Sequence, residues 1–99
     1  MQIEIRSIHF KVDKKLEDFI KEKIDKLTQF YDGVIGTEVS LKLSNTETSD
    51  NKITEIRLNV RGNDLYAKKQ SKTFEESTDE AVEALRRQLI KYKEKVRNS

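Results

Sequence analysis

Glu55-Ile56-Arg57-Leu58-Asn59-Val60-Arg61-Gly62-Asn63-Asp64-Leu65 is the stretch whose reading decides the fold. Ile56, Leu58 and Val60 alternate with Glu55, Arg57, Asn59 and Arg61, the period of two that turns one face of a strand to a core and the other to water. Gly62-Asn63-Asp64 reads as a tight connection, and the chain returns as another strand from Leu65 to about Gln70. Just beyond, the period changes. Thr73 and Glu76 stand three apart, the spacing of a capping box that satisfies the free amide donors of a helix start. Apolar residues then recur at Phe74, Val82, Leu85, Leu89, Tyr92 and Val96, one face of a 3.6-residue helix. A hairpin running into an amphipathic helix lets the apolar sheet face and the apolar helix stripe cover each other.

Toward the N-terminus the same logic repeats. Ser44 to Asn51 is polar and turn-rich, a loop between strands. Before it, Val39, Leu41 and Leu43 alternate with Glu38, Ser40 and Lys42 as a strand with one buried face. Gly33 is placed to end a preceding helix in the left-handed C-terminal position. That helix starts at an Asp13 N-cap and carries Leu16, Phe19, Ile20, Ile24, Leu27 and Tyr31 on one face. Ile3 and Ile5 open the chain as a short strand. The expected order is β-α-β-β-β-α: an α+β fold, a four-stranded sheet with two helices packed on one face. Residues 1–99 form a single domain with no repeat and no linker. The other sheet face carries Glu38, Ser40, Lys42, Glu55, Arg57 and Asn59. These are polar, of mixed sign and without the stacking aromatics that bind single strands.

With 38% of residues charged and 34% hydrophobic, the core is small and the surface heavily ionised. There is no cysteine, which excludes disulfides, thiolate metal sites and cysteine nucleophiles. His9 is the one histidine and has no partner at metal-binding spacing, so it reads as a surface or strand-end residue. Gly33, Gly36 and Gly62 are too scattered for a phosphate-cradling loop. No serine has a base in a recognisable context. Carboxylates interleave with lysines as helix-surface pairs do. Nothing favours catalysis, a cofactor or a small-molecule substrate. No apolar run reaches the length of a membrane span and no signal peptide opens the chain, so no membrane partner and a cytoplasmic location are expected.

The net charge is only +2, but it is unevenly distributed. The first turns of the last helix carry Glu75, Glu76, Asp79, Glu80 and Glu83; the last turns carry Arg86, Arg87, Lys91, Lys93, Lys95 and Arg97 against Glu94 alone. The helix dipole favours this order at about 0.3–1 kcal/mol per well-placed charge, which accounts for a base or two in the final turn and not for a run of about three turns. At about 100° per residue, Arg87 and Lys91 share the outer face with Lys95 nearby, while Arg86, Lys93 and Arg97 gather on the flank beside the apolar stripe. On the first helix, Lys15 and Lys26 project on one flank and Lys23 lies close to it. Helices packed side by side would join these into a basic surface suited to a phosphate backbone.

Four segments, Met1-Gln2-Ile3-Glu4-Ile5, Lys21-Glu22-Lys23-Ile24-Asp25-Lys26-Leu27-Thr28-Gln29-Phe30-Tyr31-Asp32, Val60-Arg61-Gly62-Asn63-Asp64-Leu65-Tyr66-Ala67 and Arg87-Gln88-Leu89-Ile90-Lys91-Tyr92-Lys93-Glu94-Lys95, stand in this order along the chain. Together they resemble the ribosome hibernation-promoting factor and ribosome-associated inhibitor family. The resemblance implies the same β-α-β-β-β-α fold, similar to double-stranded RNA-binding domains. It also implies a non-catalytic translation inhibitor, a monomer when free, that binds the small ribosomal subunit and its 16S ribosomal RNA in the decoding channel, occluding messenger RNA and the A- and P-site transfer RNAs. Carried over by motif, the RNA-binding candidates are Lys23, Lys26, Arg87, Lys91, Lys93 and Lys95, with Arg86 added on position. The chain resembles the short class, for which no second, dimerising domain is expected. It departs from the family at Ser7-Ile8, where members often carry Gly-Arg, and at Ala84, where many carry lysine; Arg86 and Arg6 are candidates to compensate. The competing readings are a generic double-stranded RNA-binding module and a small protein-interaction domain.

Overall fold

The computed structural model describes residues 2–29, 31, 33–45 and 49–97. Strand β1 (Gln2–Ser7) leads into helix α1 (Lys14–Thr28), which is followed by β2 (Val34–Leu43), β3 (Lys52–Val60), β4 (Asn63–Ser71) and α2 (Phe74–Arg97). The sheet order is β1-β2-β3-β4. β1 lies parallel to β2, with Ile5 opposite Val39, and the remaining pairs are antiparallel. Parallel neighbours need a crossover, and α1 supplies it.

The core lies between the sheet and one helical layer. Leu16, Ile20, Ile24 and Leu27 of α1 and Ala81, Leu85 and Leu89 of α2 meet Val39, Leu41, Ile56, Leu58, Leu65 and Ala67 of the sheet, so both helices cover the same face. The starts of both helices are capped as their sequence requires. An Asp13 carboxylate oxygen accepts from the Leu16 amide at 2.8 Å, and Thr73 Oγ1 accepts from the Glu76 amide at 3.0 Å.

Three contacts fix the relative direction of the helices. Phe10, just ahead of α1, stacks on Phe74 at the start of α2, with ring centroids 5.0 Å apart. Lys23 Nζ reaches Asp79 at 3.0 Å. Tyr31, just past α1, meets Tyr92 edge-on at 5.7 Å. The two helices therefore run in the same sense, and their C-terminal ends lie at one end of the molecule.

The structure corrects four local expectations. Gly33 does not occupy the left-handed region: α1 ends at Gln29 in the right-handed helical conformation, and Gly33 instead makes room for the Tyr31 ring, into which a Cβ would run. The β3–β4 turn is only Arg61-Gly62, with Gly62 at φ 80°, because Asn63 and Asp64 already pair with Val60 and Asn59. Leu43 and Val96, read as core-facing, are 46% and 45% exposed because each lies where its element runs past the sheet or helix that would cover it. In α2, Ser77 and Thr78 are fully buried: they occupy the inward side of the first turns, which the stripe of apolar residues alone left unread. Thr54 of β3 lies 2.6 Å from Ser77 Oγ and 3.3 Å from Thr78 Oγ1, so hydroxyls satisfy one another beneath the helix. Residues 46–48 of the Ser44–Asn51 connection lie outside the described residues; its ends are joined by the Ser44 amide donating to the Asn51 carbonyl at 2.8 Å.

Candidate nucleic-acid interface

α2 is 24 residues long, roughly 36 Å at 1.5 Å per residue. The nine-residue β4 beneath it spans roughly 30 Å. The excess emerges at the C-terminal end: Leu89 is buried, Tyr92 half-buried, and Lys93 to Val96 are all exposed. The basic half of α2 is therefore the part with least sheet behind it.

Buried Ala81, Leu85 and Leu89 fix the inward direction of α2, so the angular position of every other residue follows at about 100° per residue. Arg87, Lys91 and Lys95 form a row at successive spacings of four on the outer and β4-side surface. Arg87 shares a shallow depression there with Lys69 of β4, Glu80 and Glu83. Arg86 and Lys93 lie on the other flank, the side on which Asp79, seven residues before Arg86, meets Lys23 of α1. Ala84 is half-buried and packed against the core. Arg86 sits about 200° around the helix from Ala84, so it adds a cation to a different flank from the one a lysine at 84 would serve. Arg6 lines a depression on the open sheet face with Glu4, Glu38 and Arg57, and so does not extend the helical surface.

The bases differ in how far acids already hold them. Glu83 lies 3.4 Å from Arg86 and 3.8 Å from Arg87. Lys26 pairs with Glu22 of its own helix at 3.2 Å, with both side chains about two-thirds exposed. Lys23 pairs across to Asp79 and lies over the Phe19 ring, 5.4 Å from its centroid. Lys91 and Lys95 form no ion pair with a described residue. Among the candidates the structure thus brings together Arg87, Lys91 and Lys95 as an outward row, while Arg86 and Lys93 stand on the opposite flank, toward α1. Lys26, in the last turn of α1, lies toward the same end of the molecule. Lys23 instead faces the acidic half of α2. The role of Glu83 as the shared partner of two arginines was readable from its spacings of three and four, and the sequence reading passed over it.

The open sheet face carries its own ion-pair network. Glu55 receives Lys42 at 2.9 Å and Lys68 at 3.8 Å, and Arg57 lies 3.4 Å from Glu38. The hydrogen bond from Lys42 holds the Glu55 carboxyl below its ordinary pKa of 4.5, and the same bond raises that of Lys42. This face is not devoid of aromatics, as the sequence suggested: Tyr66 stands on it, 49% exposed. Its hydroxyl is pushed up by burial and by the neighbouring Glu55 charge. Engaged with Glu55 and surrounded by paired charges, a single ring does not make a stacking platform.

The sequence profile of the family described as Sigma 54 modulation protein / S30EA ribosomal protein matches residues 3–97. The chain belongs to this family. Among family relatives it is 30% identical over 98 residues to the ribosome hibernation promoting factor of Escherichia coli strain K12, covering 98% of each chain. It is 32% identical over 95 residues to that of Azotobacter vinelandii, covering 96% of this chain and 85% of the relative. Two solved structures share the fold. A ribosomal subunit interface protein from Coxiella burnetii superposes with a TM-score of 0.83 at 18% identity, covering 94% of this chain and 98% of the other. The Thermus thermophilus Protein Y N-terminal domain superposes with a TM-score of 0.80 at 19% identity, covering 93% and 99%.

Proposed function

We propose that this protein is a non-catalytic ribosome hibernation factor, acting in the cytoplasm as a monomer when free, that lodges in the decoding channel of the small subunit. There it occludes messenger RNA and the A- and P-site transfer RNAs. Family membership over residues 3–97 and the hibernation-factor names of its full-length relatives support the ribosome as partner. The row Arg87, Lys91 and Lys95 on the outer surface of a rigid helix, with Lys91 and Lys95 forming no ion pair among the described residues, is the observation that carries the site.

Physically the action is occlusion. A folded body 47 Å long and 24 by 19 Å across fills a channel lined by phosphates, and α2 supplies counter-charge along one side. Each phosphate neutralised releases counterions, so affinity falls as salt rises, and release needs no covalent chemistry. Base sequence need not be read, because duplex and backbone geometry are recognised by shape and charge.

Cosedimentation of the purified protein with isolated small subunits across a salt series tests this reading. Binding that weakens steeply with salt and is abolished by Arg87→Glu/Lys91→Glu is the expected result. Binding indifferent to salt and to the double reversal would remove the site from α2 and favour a protein-interaction domain.

A further inference from the structure

At the overhanging end of α2 the helix and the β3–β4 turn enclose an open groove of about 470 Å³ lined by Gly62, Asn63, Tyr92, Lys95 and Val96. Its size is within the range of roughly 300–1,000 Å³ over which small ligands are held. One wall is apolar, from Tyr92 and the exposed Val96. Tyr92 is immobilised there because its hydroxyl donates to the Arg61 carbonyl at 2.8 Å and its ring meets Tyr31 edge-on. The rest of the lining comes from the turn, to which the Tyr92 hydroxyl is bonded. Gly62 stands at φ 80° with nothing within 4 Å of where a Cβ would be, so the backbone there is open to close approach. Asn63 adds a carboxamide that both donates and accepts. Lys95 stands at the rim without an ion pair among the described residues, and it is also the last member of the row Arg87, Lys91 and Lys95.

An apolar wall, an amide and an ammonium without an ion pair among the described residues, at the end of a cationic row, match the parts of one nucleotide: base, base edge and phosphate. We propose that this groove takes a single unstacked RNA nucleotide, its base against Tyr92 and Val96, its edge at Asn63 and its phosphate at Lys95. The inference rests on the ribosomal RNA reading of α2 and deepens it. The row of bases recognises backbone, whereas the groove recognises one splayed base at the row's end. Packing of a base is largely independent of salt, while phosphate contacts are not, so the two contributions separate experimentally.

Asn63→Ala and Val96→Asn alter the groove without changing any charge, and both positions are exposed. Thermal melting by circular dichroism, matching the unsubstituted protein, confirms that each variant folds. In the small-subunit salt series each variant is expected to bind roughly tenfold more weakly at every salt concentration with the slope unchanged. Chemical probing of the subunit's RNA is expected to show one unpaired base protected by the unsubstituted protein and reactive again with Asn63→Ala. Folded variants that bind as the unsubstituted protein does, with identical probing, would overturn the groove while leaving the basic row intact. Failure of the unsubstituted protein to bind subunits would overturn the α2 reading itself and the groove with it.

Discussion

Glu55 shows how much a single residue's environment adds to its chemistry. It stands at an outward position of β3, where alternation alone would leave it a solvated carboxylate. The antiparallel register instead sets it opposite Lys68 and beside Lys42 of the neighbouring strand. The Lys42 hydrogen bond, partly offset by burial, lowers its folded-state pKa below the ordinary 4.5. A depressed carboxyl pKa means that ionised Glu55 contributes stability above the unfolded-state value. That contribution is lost as pH falls through the folded-state value. Glu55→Gln is therefore expected to destabilise the protein at neutral pH by roughly 0.5–1 kcal/mol, within the range for partly exposed pairs. It should also flatten the decline in stability below about pH 4.5. Urea unfolding at pH 7 and at pH 3 checks both halves, the difference between the two proteins shrinking at the lower pH. The same scale holds a glycine that the sequence misassigned by conformation. Gly33 carries the expected residue type for a helix end, but a nearby aromatic ring, not a left-handed backbone, is what requires it.

At the scale of elements, α2 is two helices in electrostatic terms. Its acidic first half is engaged: Asp79 with Lys23 of α1, Glu80 with the Ser71 hydroxyl at 3.0 Å, and Glu83 with both Arg86 and Arg87. Its last turns carry Lys91 and Lys95, which form no ion pair with a described residue. This partition predicts unequal roles for lysines that look alike in sequence. Lys91→Ala is expected to lower the steepness of the salt dependence of subunit binding by about one phosphate contact, as loss of a direct backbone contact does. Lys23→Ala is expected to leave that slope nearly unchanged, since its ammonium is held by Asp79 and lies over Phe19. Parallel salt series on the two variants measure the difference, and an equal loss of slope from both would show Lys23 leaving Asp79 to meet RNA. The amphipathic stripes, both N-caps and the acid-to-base order of α2 were legible in sequence because each depends on residues within a turn of one another. The partners of Lys23 and Glu55 were not, because they come from other elements.

Over the whole molecule, a core of modest size holds a long helix on a four-stranded sheet. Leu85, fully buried midway along α2, touches that core beneath the start of the basic row. Leu85→Ala is expected to cost about 2–5 kcal/mol through lost transfer energy and residual cavity. Against the total stability of roughly 5–15 kcal/mol usual for a domain, that is a large share. A lower urea midpoint with unchanged slope would show it, and weakened subunit binding at temperatures where the variant begins to unfold should follow. The sequence by itself determined the order of elements, which face of each is apolar, the one-sided placement of both helices and the concentration of bases in the last turns of α2. All of these are set by local periodicity and composition. Only the tertiary structure decided that α1 and α2 run in the same sense, that Lys23 meets the acidic half of α2, that Ser77 and Thr78 are buried on Thr54, and that α2 outruns the sheet to open a groove at the β3–β4 turn. Those outcomes depend on distances between residues far apart in the chain, which packing fixes and periodicity does not.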